Sequence, residues 1–159
     1  MRNLFIGGSS EIAIDVAKKL PGSDCISQKK CKFFSNNLKI ENYKFQKIKK
    51  IVKKIKIKYD NILIFNGFYE KSLLSFFSEK EFEKSFYINL KVPLMFASEL
   101  ISNKILNRDG SIFFFSSIAA KTPKQGNAYY SLSKNTLNFA AQILSDEQKK
   151  EVIESMLYH

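Results

Sequence analysis

Apolar and polar positions alternate in blocks along this chain. Short runs of Leu, Ile and Phe give way to stretches whose apolar residues recur at helical spacing. Residues 2–6 make the first run, apolar enough for the centre of a parallel sheet. Gly7-Gly8-Ser9-Ser10 turns the chain, and Ser9 or Ser10 can cap a helix over residues 10–20. Ile12, Ala13, Val16, Ala17 and Leu20 form its inner side, and Pro21-Gly22 stops it. A short second strand is expected at 23–27. Residues 28–42 are irregular and polar, so the third strand is expected at 43–45 and a lysine-rich helix at 46–58. Asn61-Ile62-Leu63-Ile64-Phe65 is the fourth strand, ending in Asn66-Gly67. A long helix spans 78–106, opened by a Ser78/Glu81 capping box and bent at Pro93. Asn107 to Gly110 is a turn, 111–116 the fifth strand and 127–145 a helix. Asp146 to Leu157, with Val152, Ile153, Met156 and Leu157 apolar, reads as a short amphipathic tail helix. This alternation implies an α/β chain: a doubly wound parallel sheet of about five strands with helices on both faces.

A length of 159 residues suits a single domain, 1–159, with a sizeable core. No apolar run reaches the ~18 residues that span a membrane. Met1-Arg2-Asn3 leads straight into a strand without a cleavage-site signature, so a cytoplasmic location is expected. Cys25 and Cys31 stand without further Cys or clustered His, which reads as free thiols and no metal site. The net charge of +11 raises nucleic acid as a partner. Against that, only Arg2 and Arg108 are arginines, and the densest basic run, Lys47 to Lys58, is interleaved with Ile48, Ile51, Val52, Ile55 and Ile57. That spacing describes a helix with a lysine-rich solvent face. Such a face can also draw in an anionic substrate or an acidic carrier protein; neither nucleic acid nor membrane is expected as a partner.

The chemistry concentrates between Ser117 and Lys134. Tyr130 and Lys134 are four apart, which on a helix places both side chains on one face. An ammonium one turn from a phenol favours the phenolate, so the pair is suited to proton transfer. Ser117 stands thirteen residues before Tyr130, at the end of the fifth strand, and Asn89 forty-one before it, in the long helix. Leu4 to Ala13 supplies strand, tight turn and helix opening. A helix N-terminus after such a turn offers free backbone N–H groups and a favourable dipole to phosphate.

These four elements, in this order and at these distances, resemble the short-chain dehydrogenase/reductase family over about 150 residues. The resemblance implies a Rossmann-like fold and an NAD(P)-dependent oxidoreductase that moves hydride between nicotinamide and a carbonyl or secondary alcohol. It implies Tyr130 as general acid/base, Lys134 as the residue that holds the nicotinamide ribose and favours the phenolate, Ser117 as a donor to the substrate oxygen, and Asn89 as support for a proton-relaying water. For the cofactor it implies Gly7, Ser9, Ser10, Glu11 and Ile12 around the phosphates and Asn66-Gly67 beside the adenine. The family pattern Thr-Gly-x-x-x-Gly-x-Gly is matched at Gly7, with Ile6, Glu11 and Ala13 at the other places. Family members carry Asn-Asn-Ala-Gly where this chain has Ile64-Phe65-Asn66-Gly67. After the second strand, Ser27-Gln28-Lys29-Lys30 has no carboxylate for the ribose hydroxyls of NAD, so Lys29 favours NADP as the cofactor, with NAD the alternative.

Tyr129 is adjacent to Tyr130, but Ser133 rather than a lysine stands four residues on. His159, the one histidine, is expected to be a frayed terminus rather than part of the site. The family continues with a sixth strand, a Pro-Gly turn, a substrate loop and a seventh strand. Here 25 residues follow Lys134 and read as helix, so the expected sheet lacks the family's last strands and leaves the fifth strand at an edge. Two functions therefore stand side by side: the reductase, and a shortened, catalytically weak or inactive module that binds nucleotide or self-associates. The long helix and the Tyr–Lys helix form the usual subunit surfaces of the family, which implies a homo-oligomer, a dimer or tetramer.

Overall fold

The computed structural model describes residues 1–148 and the backbone of 152–156. Six parallel strands form one sheet in the order β3-β2-β1-β4-β5-β6: β1 Asn3–Ile6, β2 Asp24–Ser27, β3 Asn36–Lys39, β4 Tyr59–Ile64, β5 Leu106–Phe115 and β6 Val152–Met156. The order reverses between β1 and β4, which opens a crevice at their carboxyl ends. In doubly wound sheets that crevice is where ligands bind.

β1 is central because every residue of its Leu4-Phe5-Ile6 run is fully buried. Its alternating side chains feed two cores. Leu4 and Ile6 join Ile62, Ile64, Ile112 and Phe114 beneath α2 (Phe45–Val52), α4 (Val92–Ser102) and α5 (Ala128–Glu147). Phe5, Cys25, Leu63 and Phe65 pack on the other face against Ala13 and Ala17 of α1 (Glu11–Lys19). Helices thus cover both faces, as the alternation implies. Ser10 caps α1 by accepting from the Ala13 N–H at 3.2 Å. Ile12, expected on the inner side, is exposed instead, because Ala13 and Ala17 take the face toward the sheet.

The long helix is interrupted just before Pro93, the residue at which a bend is expected. α3 (Glu79–Phe86) opens with Ser78 accepting from the Glu81 N–H, and then Tyr87–Lys91 widens into a π-turn before α4. Pro93 has no N–H to donate to the carbonyl four residues back, so the ladder opens next to it.

Three expectations are corrected. The helix expected to reach 106 ends at Ser102, and residues 107–110 belong to β5 rather than to a turn. The third strand lies at Asn36–Lys39, paired with β2, while residues 43–45 lead into α2. The tail is not the amphipathic helix expected over 146–157. α5 continues to Glu147, and Val152–Met156 pairs parallel to β5 from Ser111 to Phe115. β5 is consequently an inner strand, and the sheet has one strand more than about five. Leu157 and His159 lie outside the described residues.

Candidate functional site

At the carboxyl ends of β1, β4 and β5, Lys134, Asn89, Gly67, Asn66 and Gly7 stand next to one another. Lys134 lies on α5 with its side chain turned down to the sheet, where it is 3% exposed. Its Nζ donates to the Phe115 carbonyl at 2.8 Å, at the end of β5, and to the Asn66 carbonyl at 3.3 Å, just past β4. Burial pulls this ammonium down from its ordinary 10.5 to about 8, because a cation loses hydration there. Tyr130 is half-buried on the same face of α5, and the ring of Tyr69 meets it edge-on with centroids 5.4 Å apart. Ser117 follows β5 and caps the short 3₁₀ turn Ile118–Ala120, its Oγ accepting from Ala119 N–H at 3.2 Å.

Asn89 sits inside the π-turn, fully buried. Its Oδ1 accepts from the Phe68 N–H at 2.6 Å and its Nδ2 donates to the Phe68 carbonyl at 2.9 Å. The same Nδ2 reaches Ser133 Oγ at 2.9 Å and Ser85 Oγ at 3.2 Å. Asn89 therefore clamps the chain just after Gly67, and a methyl group built on Gly67 would lie 3.6 Å from Lys134 Nζ. Ser85 and Ser133 are additions to the expected set. Ser85 was within reach of sequence reasoning, since it stands four residues before Asn89 on a helix. Ser133 faces Asn89 only through the packing of α5 on the π-turn.

Tyr129 is excluded from proton work by its surroundings. It is 2% exposed, its hydroxyl accepts from the Ser78 N–H at 2.8 Å, and its ring packs against Phe77 and Phe82.

On the nucleotide side, Gly7 has φ of +77°, a left-handed conformation that glycine tolerates. Gly8 has no room for a side chain: a methyl group there would lie 2.5 Å from Cys25 Sγ and 2.9 Å from the Phe34 ring. Gly8 is thus a glycine this turn requires, although only Gly7 matches the expected pattern. Ser9 and Glu11 are exposed at the opening of α1, and Ser10 is committed to its cap. Lys29 is exposed just past β2, whose Ile26 carbonyl accepts from the Gly7 N–H at 2.9 Å.

Asn66 faces the Gly7 turn. A methyl on Gly7 would meet Asn66 Cγ and Nδ2 at 3.3 Å. Burial raises the Tyr43 phenol from its ordinary value. Asn66 Oδ1 is buried and has no hydrogen-bond partner. An orphaned acceptor between a left-handed glycine turn and a strand end fits a site meant to be completed by a ligand with donors.

A six-stranded sheet in the 3-2-1-4-5-6 order, with a glycine turn and an orphaned polar atom at the reversal point, defines the class of α/β nucleotide-binding folds. The family model described as short chain dehydrogenase matches residues 4–157, and the chain belongs to that family. A short chain dehydrogenase family protein from Francisella tularensis subsp. tularensis SCHU S4 superimposes with a TM-score of 0.83 at 20% identity, over 97% of this chain and 67% of that one. A short-chain dehydrogenase/reductase (SDR:Glucose/ribitol dehydrogenase) from Brucella melitensis gives 0.82 at 16% identity, over 98% and 74%. A short-chain dehydrogenase/reductase from Vibrio parahaemolyticus gives 0.81 at 14% identity, over 98% and 82%. At these identities the likeness is one of fold. A search of curated proteins finds no match. Among the described residues no helix is long and apolar enough to cross a membrane.

Proposed function

We propose that this chain is an NAD(P)-dependent oxidoreductase acting on a carbonyl or secondary alcohol, with Tyr130 as general acid and base. The observation that carries the reading is the buried Lys134 ammonium, one helical turn from Tyr130 and tied to the carboxyl ends of β4 and β5. A buried lysine is expensive, so its retention there points to a task for the charge. When bound, the nicotinamide supplies the hydride in reduction and accepts it in oxidation. During reduction Tyr130 gives its hydroxyl proton to the substrate oxygen as the C–O double bond becomes single. The Lys134 ammonium stabilises the phenolate left behind. Ser117, whose Oγ accepts from Ala119 N–H, retains its own O–H to donate to the same oxygen. Asn89 acts one layer back, by fixing the Phe68 peptide beyond Gly67.

The residues around the reversal point support a dinucleotide. The Gly7–Gly8 turn lets backbone approach closely, α1 offers its N-terminus, and Asn66 Oδ1 waits for a donor. Glu11 is exposed at that N-terminus, which leaves the backbone N–H groups to meet phosphate. Lys29 favours NADP over NAD.

The test is oxidation of NADPH and NADH over a panel of carbonyl compounds, in wild type and Tyr130→Phe. Loss of a general acid costs ~10²–10⁴-fold in rate. A Tyr130→Phe variant as active as wild type would refute the assignment. Nucleotide binding without turnover in wild type would favour the alternative of a nucleotide-binding module, and tighter NADH than NADPH would reverse the cofactor preference.

A further inference from the structure

α5 presents a second face beside the Tyr130–Lys134 face. Ser131 and Asn135 each follow by one residue, about 100° around the helix. This face, Leu74, and the chain from Ala119 to Pro123 enclose a hollow of about 410 Å³, within the ordinary size of small-molecule sites. Its walls include Leu74, Ala120, Pro123 and Leu132, and Asn135 Nδ2 ties α5 to the opposite wall by donating to the Ala120 carbonyl at 3.0 Å.

Ser131 lines this hollow and is 6% exposed. Its Oγ is buried and makes no hydrogen bond. Ser133, on the same helix, satisfies its hydroxyl by donating back to the Tyr130 carbonyl at 2.9 Å. Ser131 makes no corresponding bond to the Ala128 carbonyl three residues back. A buried hydroxyl left without a partner is destabilising, so its persistence beside an open cavity marks a place for a ligand atom. Lys121 lines the same hollow, is exposed, and makes no ion pair among the described residues.

We propose that the hollow between α5 and the Ala119–Pro123 segment binds an amphipathic organic anion, such as a medium-chain carboxylate. The apolar body lies against Leu74, Pro123 and Leu132, a hydrogen-bonding atom meets Ser131 Oγ, and the anionic end meets Lys121. The site uses none of the side chains assigned to proton transfer or to the nucleotide, so it stands or falls apart from the proposed activity.

The test uses the full chain without nucleotide. The probe is 1-anilinonaphthalene-8-sulfonate, an apolar body with an anionic end, followed by fluorescence and competed with octanoate or octanol. The expected result is saturable binding at one site per chain, with octanoate displacing the probe about tenfold better than octanol. Ser131→Leu, which fills the hollow, and Lys121→Glu, which reverses the charge at its mouth, each weaken probe binding about tenfold. Lys121 is exposed, so its variant keeps the test valid if Ser131→Leu fails to fold. Unsaturable binding, equal competition by octanol, or wild-type affinity in a folded Lys121→Glu variant would overturn the proposal.

Discussion

The buried Lys134 ammonium makes a stability prediction whose sign is fixed. In the unfolded chain its amine titrates near the ordinary 10.5; in the folded protein it titrates at about 8. The gap corresponds to about 3 kcal/mol, at about 1.4 kcal/mol per pH unit. A lysine with a lowered folded value is a burden below that value, where both states hold the proton. The burden lifts as pH rises from about 8 toward 10.5, because the folded state releases its proton first. Between pH 7 and pH 9 the relief is about 1.3 kcal/mol. At pH 7 about nine in ten molecules keep the charge, which is the form the proposed chemistry needs.

Wild type alone cannot isolate this effect. Burial raises the Cys25 thiol to about 11 and also raises the Tyr43 and Tyr59 phenols, so these groups hold protons that the unfolded chain sheds. Their contribution to stability falls as pH rises, opposite in sign to that of Lys134. The measurement is therefore the difference between wild type and Lys134→Met. Urea unfolding would be followed by circular dichroism at pH 7 and pH 9, at one protein concentration and without nucleotide. The substitution also removes the bonds to Phe115 and Asn66, but that offset does not depend on pH. With a urea slope of about 2 kcal/mol per molar, wild type should gain about 0.6 M in midpoint on the variant between the two pH values. A gap that stays constant, or one that moves the other way, would mean that the amine is hydrated, and the reasoning fails.

Two further outcomes are expected. Gly8→Ala should lower the urea midpoint by the equivalent of ~1–3 kcal/mol through overpacking against Cys25 Sγ and Phe34; Cys25→Ala in the same chain should recover part of that loss, and no loss at all in Gly8→Ala would refute the close approach. We also expect self-association through the outer face of α5, where Phe139 and Ile143 lie one turn apart and Phe139 is 63% exposed; sedimentation velocity should show a dimer or tetramer that Phe139→Lys converts toward monomer, and a monomeric wild type would refute it.

What could be read from the chain alone was what depends on nearby residues. The first strand, its glycine turn and the capped helix were legible because Leu4 to Ser10 carries both the apolar run and its punctuation. The Tyr130–Lys134 pair was legible because four residues is one helical turn. β3 was missed because Asn36-Asn37-Leu38-Lys39 offers one apolar residue at a half-exposed sheet edge, whereas Tyr43 and Phe45 imitate a strand without a partner. The tail was missed for a related reason. Val152, Ile153 and Met156 fit a helical period as well as they fit a strand, and the choice is made by pairing with β5, which no local pattern encodes.

Asn66 shows how the two sides of the proposed site depend on each other. Its carbonyl holds Lys134, its side chain rests over Gly7 and near Tyr43, and its Oδ1 has no partner. A small residue at this place, as the family pattern carries, could do only the first of these things. With asparagine, a donor arriving over the glycine turn engages the same residue whose peptide carries a bond from the Lys134 ammonium. In the proposed function, nucleotide binding and the placement of the Lys134 charge would then be coupled through one side chain and its own backbone, rather than through separate loops.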